Sequence, residues 1–304
     1  MLMRLKQGLF HQANITMLKN DTSNAITTVR TVSDLRNILK IWRNNKLTVG
    51  LVPTMGALHD GHFSLIKRSL SLSDRTIVTL FVNPKQFGSN EDFDTYPTDE
   101  LSDIKALENL SVDVIFAPST EEMYPTGNIT NISIPDIGDL LEGAFRPGFF
   151  DAVATVVCKL FMISSPDFAF FGEKDYQQLL IIEKMVQDLN IPTEIVGCPI
   201  IRSKDGLALS SRNVYLSEKD RLVAPLLYKI LNEILDDAKN GEELKKTLNN
   251  AKMNLLNSGF TQIDYLKICD KKYLTELNNF SFDARILGAA WIGNTRLIDN
   301  IRVN

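Results

Sequence analysis

The sequence predicts an α/β fold: a mostly parallel, doubly wound sheet followed by a smaller α+β unit. Three observations carry that prediction. Short apolar strands alternate with amphipathic helices from about residue 26 to residue 200, which is the pattern of a parallel sheet covered on both faces. After about Ile201 the pattern changes to a polar, glycine-bearing loop, then helices, then three strand-like segments. Turn motifs with histidine, amide and lysine side chains follow Val52, Val82 and Phe171, at the carboxyl ends of predicted strands, where such sheets hold ligands. The division expected is therefore an extension over 1–25, a first domain over 26–200 and a second over 201–304 that can cover a cleft.

The elements follow in order. Thr31 or Ser33 can cap a helix whose apolar residues Leu35, Ile38, Leu39 and Trp42 fall at helical spacing. A strand from Thr48, with Gly50 inside it, ends at Pro53, and a helix after Gly61 buries Phe63, Ile66 and Leu70. Thr76–Val82 is rich in β-branched residues and reads as a second strand, stopped by Asn83-Pro84. Asp99 opens a helix carrying Leu101, Ile104, Leu107 and Leu110. Val112–Ala117 is a third strand, and Ile129–Ile134 is a weaker strand-like segment. A helix from Asp151 to Ile163 ends before Pro166; Phe168–Phe171 is a strand, Lys174–Leu189 a helix and Glu194–Gly197 a strand. In the second unit Ser217 caps a long helix to about Lys239, with Pro225 near its start. A helix over 242–256 and strands over 262–269, 284–291 and 295–301 follow, and Gly293-Asn294 suggests a turn between the last two.

Composition limits the function classes. The chain has 304 residues, 44% of them hydrophobic and 23% charged, which is ordinary globular material. A net charge of -4 argues against nucleic-acid binding, yet leaves room for a local basic pocket. Cys158, Cys198 and Cys269 are odd in number and none is in a CxxC spacing, which suits a reducing, cytoplasmic compartment and argues against a disulfide framework or zinc cage. No apolar run approaches the length of a membrane span, so no membrane association is expected. Residues 1–25 lack the apolar core and cleavage site of a signal peptide. They read as an extension outside the fold, with Met17 an alternative start and His11 inert.

The chemistry concentrates at strand ends. His59 and His62, two of the chain's three histidines, flank Gly61 where a strand and a glycine turn lead into a helix. The first turn of a helix has unpaired N–H groups and a partial positive charge, so it suits phosphate, and imidazoles there add donors. A zinc pair at this spacing lacks a third well-placed histidine. Gly172-Glu173-Lys174-Asp175 repeats the logic, with Lys174 as a point charge for phosphate and the acidic pair favouring a helix start. Leu209-Ser210-Ser211-Arg212 puts two hydroxyls and a guanidinium in one loop, near Arg202 and Lys204. Asn83 and Gln86 offer amides for a substrate with a hydroxyl and a carboxylate, and Gln178 lies four residues beyond Lys174. Val153 and Val156, three apart on a helix, are core by default or the wall of an apolar pocket.

Taken together, PTMGALHDGH at 53–62, FVNPKQFG at 81–88, FFGEKDYQQL at 170–179, KDGLALSSRN at 204–213 and TRLIDNI at 295–301 resemble the pantothenate synthetase (pantoate–β-alanine ligase) family. The HxGH motif alone is shared by nucleotidyltransferases and class I aminoacyl-tRNA synthetases; the ordered set is specific. The resemblance implies a Rossmann-like first domain, a C-terminal lid and a homodimer. It implies an ATP-dependent condensation of (R)-pantoate with β-alanine through a pantoyl adenylate, with Mg²⁺ and with pyrophosphate and AMP as products. It places ATP at Met55, Gly56, His59, Gly61 and His62, at Gly172, Glu173, Lys174 and Asp175, and at Ile201, Leu209, Ser210, Ser211 and Arg212. His62 is the expected proton donor, with His59, Lys174 and Arg212 sharing the catalysis. Gln86, Gln178, Asn83, Arg146, Val153 and Val156 are the expected substrate pocket. The Mg²⁺ ligands stay unassigned; Asp103 is the nearest acidic match. The family commonly reads RPGHFxG where this chain has RPGFFDA, so Phe149 and Ala152 are departures.

Overall fold

The computed structural model describes residues 26–88 and 91–304, so the readings made for 1–25, including Met17 and His11, lie outside the described residues. The chain order is β1 (Thr27–Val29), α1 (Val32–Asn44), β2 (Val49–Thr54), α2 (Asp60–Leu72), β3 (Arg75–Leu80), α3 (Glu100–Glu108), β4 (Val114–Phe116), α4 (Thr120–Met123), α5 (Glu142–Phe145), α6 (Phe149–Ser164), β5 (Phe168–Gly172), α7 (Tyr176–Asp188) and β6 (Glu194–Cys198). The second unit adds α8 (Glu218–Val223), α9 (Leu226–Lys239), α10 (Leu244–Asn257), β7 (Phe260–Asp270), β8 (Ala284–Ile292) and β9 (Thr295–Arg302).

The first six strands form one parallel sheet in the order β1-β4-β3-β2-β5-β6. The order reverses between β2 and β5, which is the topological switch point where doubly wound sheets bind ligands. Successive strand residues point to opposite faces. Leu51, Ile77, Phe116 and Phe171 enter a core with α1, α6 and α7, while Val52, Val78, Ile115 and Phe170 enter another with α2 and α3. Gly50 permits the α2 side of this packing, because a Cβ there would overlap the Ser69 and Ser73 hydroxyls. The last three strands form a separate antiparallel sheet, β7-β8-β9, whose core is closed by α9 and α10. Ile292 pairs with Thr295, so Gly293-Asn294 is a two-residue hairpin turn, as expected.

Several expectations need correction. Pro53 does not end its strand, which runs on to Thr54. β2 pairs with β5 only at Gly50 and Leu51, so the missing N–H of Pro53 breaks no ladder on that side. Ile129–Ile134 is not a strand; Ile132 N–H donates to the Thr155 hydroxyl at 2.8 Å instead of to another strand. The long helix from Ser217 is two helices, α8 and α9, broken at Pro225, which has no N–H to donate. The segment expected as a helix from Lys174 opens as a tight 3₁₀ turn, Glu173–Asp175, before α7 begins at Tyr176.

Candidate active site

Beyond Leu51 and Ala169 the paired strands β2 and β5 part, and a cavity of about 240 Å³ opens between their carboxyl ends. One wall is the turn after β2, which supplies Met55, His59, Gly61 and His62. Asp103 of α3 shapes that turn: its carboxylate accepts from Ala57 N–H at 2.9 Å and Leu58 N–H at 2.8 Å. Gly56 (φ +84°) and Ala57 (φ +49°) both lie in the left-handed region, and Gly56 sits in this turn rather than on the cavity wall. The opposite wall is the turn after β5, with Gly172, Lys174 and Asp175, followed by Gln178 on α7. Gln86, Val153 and Val156 close one end, and Ile201, Leu209, Ser210, Ser211 and Arg212 close the other.

The two imidazoles are bound into the start of α2. His59 is its N-cap, and His59 Nδ1 accepts from Gly61 N–H at 3.1 Å while His62 Nδ1 accepts from His59 N–H at 3.4 Å. With both Nδ1 atoms accepting, both rings in the neutral state carry their proton on Nε2. The ring centroids are 4.1 Å apart, with the planes tilted by 40°. Burial, then the Lys174 ammonium, lowers His59 from 6.5 to about 4. Burial, then His59 and Lys174, lowers His62 to about 3. Both are neutral hydrogen-bond donors near pH 7 until an anion arrives.

The cations of the cavity differ in how they are held. The Lys174 ammonium lies 3.7 Å from the Asp175 carboxylate. Arg212 is anchored at the rim by Asp92, donating from Nε at 2.9 Å and Nη2 at 2.7 Å. Ser211 Oγ donates to Ala57 O at 3.2 Å, which ties the loop of the second unit to the histidine turn.

Some expected site residues serve elsewhere. The Glu173 side chain turns away from the cavity and pairs with Arg285 at 2.9 Å and with Arg302, so it joins the two units. Asn83 is fully buried and positions Gln86, donating to its side-chain oxygen at 3.0 Å and to Ala152 O at 3.3 Å. Arg146 lies outside the first cavity and lines an adjoining one of about 800 Å³. There it is held by Glu91 and stacks 3.6 Å from the Phe149 ring centroid. Arg202 pairs with buried Asp299 rather than facing the cavity, and Lys204 is exposed. Among the described residues no cluster of three His, Cys, Asp or Glu side chains suits a metal ion, and Asp103 is engaged by backbone N–H groups. The supporting residues Asp92 and Arg285 escape sequence reading, Asn300 enters it only inside the TRLIDNI motif and Asp103 only as an acidic match, because each acts through a partner remote in the chain.

Anion donors thus face an amide pair and an apolar wall across one cavity. A model of the pantoate-beta-alanine ligase family matches residues 27–302. Pantothenate synthetase from Roseobacter denitrificans is 46% identical over 278 residues, covering 91% of this chain and 98% of that protein. The crystal structure of pantothenate synthetase from Thermus thermophilus superposes with a TM-score of 0.87 at 43% identity, covering 91% of this chain and 99% of that one. The pantoate-beta-alanine ligase of Francisella tularensis, complexed with beta-gamma ATP and beta-alanine, gives a TM-score of 0.78 at 39% identity, with 92% and 98% covered.

Proposed function

The chain belongs to the pantoate–β-alanine ligase family and is a ligase; from that premise we propose that it joins (R)-pantoate to β-alanine through a pantoyl adenylate. A pantoate carboxylate oxygen attacks the α-phosphorus of ATP and pyrophosphate leaves. The β-alanine amine then attacks the acyl carbon, and AMP leaves with that oxygen. The observation that carries this reading is the joining, in one cavity, of phosphate donors with a site for a small branched hydroxy acid.

The residues divide the work by their chemistry. Lys174, Arg212, Ser210, Ser211 and the N-terminus of α2 bind the phosphates, and they favour the charge that moves onto the departing pyrophosphate. His59 and His62 donate from Nε2. Burial keeps His62 neutral near pH 7 in the empty site, so it meets the phosphate as an Nε2–H donor, and the arriving anion then favours its protonated form. Gln86 and Gln178 take the acid's hydroxyl and carboxylate, Gln86 also borders the path of β-alanine, and Val153 and Val156 face its geminal methyls. Holding acid and nucleotide in register supplies rate through orientation. Among the described residues no three His, Cys, Asp or Glu side chains gather, and Mg²⁺ is taken to enter with the nucleotide as MgATP. We assign pantoate and most of the ATP contacts to residues 26–200, with 201–304 adding Ser210, Ser211 and Arg212 to the phosphate site and covering it so that water is kept from the mixed anhydride. The family resemblance further supports a homodimer, and three free cysteines suit the cytoplasm.

Incubation with MgATP and pantoate tests the proposal. One equivalent of pyrophosphate per site is expected without amine, and free AMP only after β-alanine is added. Pyrophosphate release that ignores pantoate, or a stable adenylylated product, overturns it.

A further inference from the structure

The turn that carries Lys174 is held in part by the other unit. Residues Glu173–Asp175 form a 3₁₀ turn with no side-chain cap at Gly172, and the following helix has none at Asp175. Two carbonyls of that turn are taken by strand β9 of the second unit. Asn300 Nδ2 donates to Glu173 O and to Lys174 O, each at 2.9 Å. The same side chain accepts at Oδ1 from Arg285 Nε at 2.6 Å, and Arg285 reaches back to Glu173 at 2.9 Å. Arg285 is further fixed by stacking 3.6 Å from the Tyr176 ring centroid. Asn300 is 2% exposed, so these bonds form away from water, where geometry is most strictly held.

The neighbouring residue holds the other border of the cavity. Asp299 accepts from Arg202 at 2.6 and 2.8 Å, and Arg202 directly follows Ile201 of the cavity wall. Asp299 also accepts from Asn300 N–H at 2.7 Å, so the two grips are joined.

We propose that Asn300 is a positioning residue for Lys174: the second unit, through this one amide, sets where the lysine of the nucleotide site stands. The proposal rests on the ATP-site reading above. The chemistry is specific to asparagine, because the position needs two donors and one acceptor on a short side chain. Aspartate keeps the acceptor for Arg285 and turns an oxygen toward two carbonyl oxygens. Serine keeps one donor and falls short of the second carbonyl.

The test is a double-mutant cycle read by calorimetric binding of a non-hydrolysable ATP analogue to the full chain. Asn300→Asp and Asn300→Ser are each made with Lys174 present and with Lys174→Ala. In the Lys174 background we expect affinity to fall about tenfold, the size of a displaced charge-assisted hydrogen bond. In the Lys174→Ala background the same changes should cost less than about twofold, since coupled residues fail to add. β-Alanine KM in Asn300→Ser should move much less than the ATP KM. Equal losses in both backgrounds overturn the proposal and leave Asn300 a structural residue only. Unchanged binding in a folded Asn300→Ser protein also overturns it. A wild-type chain that does not bind the analogue overturns the ATP-site reading, and this inference with it.

Discussion

Replacing Asp103 by alanine tests how the histidine turn is built. Its carboxylate, 5% exposed, accepts from Ala57 N–H at 2.9 Å and Leu58 N–H at 2.8 Å. Alanine leaves both donors unpaired in a turn where Ala57 already sits at φ +49°. Each unpaired donor costs about 1–3 kcal/mol. Burial raises the Asp103 carboxyl above its usual range despite the two donors, so removing the carboxylate also relieves a desolvation penalty. The net loss expected is therefore near the low end, about 2 kcal/mol, or a fall in Tm of about 3 °C. Turnover should fall further, about 100-fold, because His59 follows this turn directly and small displacements of reacting groups are expensive. Denaturant unfolding and steady-state kcat read the two effects separately. A variant that loses stability yet keeps kcat within about twofold refutes the turn argument. Recovery of activity by excess Mg²⁺ would instead make Asp103 a metal ligand.

Other perturbations follow from the same contacts. His59 and His62 have folded values of about 4 and about 3, below the 6.5 of an unfolded chain, so the unfolded state binds more protons in between. The stability they permit is full above pH 6.5 and is lost as pH falls toward 4, by up to about 1 kcal/mol per pH unit for each histidine, less where cavity water screens them. His62→Gln should flatten the fall between pH 6.5 and 5, and an unaltered slope in urea titrations counts against it. Glu173→Ala strands the buried Arg285 guanidinium and should cost about 3 kcal/mol; a change within about 0.5 kcal/mol would show that the pair contributes little. Phe149→His should shift the pantoate KM by no more than about threefold, since Phe149 meets the site mainly through its apolar face and its stack on Arg146. A large gain in pantoate affinity contradicts that.

Local patterns made much of the fold readable. Thr31 and Ser217 cap their helices, accepting from Asp34 N–H and Asp220 N–H, because capping is a matter of three residues. The strands β2 and β3 declare themselves by β-branched residues, β5 by its aromatic run between Pro166 and Gly172, and the Gly293-Asn294 hairpin by its turn chemistry. β1 escapes because Thr27–Val29 is short and, unlike β4, lies in no apolar run; it exists by pairing with β4. Ile129–Ile134 looks like a strand in composition, yet strands need a neighbour and this segment has a hydroxyl instead.

The candidate site divides along the same line. His59, His62, Lys174 and Arg212 stand at element ends that local sequence marks, and the fold brings them to one cavity. Glu173, Asn83 and Arg202 look equally functional as residue types. Their partners Arg285, Ala152 and Asp299 lie far along the chain, so only the folded structure shows that they hold the site rather than line it. Asp103 and Asn300 are the converse: nothing local marks them as supports, yet they hold the two turns that carry the histidines and the lysine.

The most direct test of the acyl-adenylate route follows an oxygen atom. Pantoate labelled with ¹⁸O in its carboxylate is turned over with MgATP and β-alanine, and the AMP is weighed by mass spectrometry. Attack of the carboxylate on the α-phosphorus predicts one ¹⁸O in AMP and none in pyrophosphate. Unlabelled AMP, or ADP and phosphate in its place, would contradict the account.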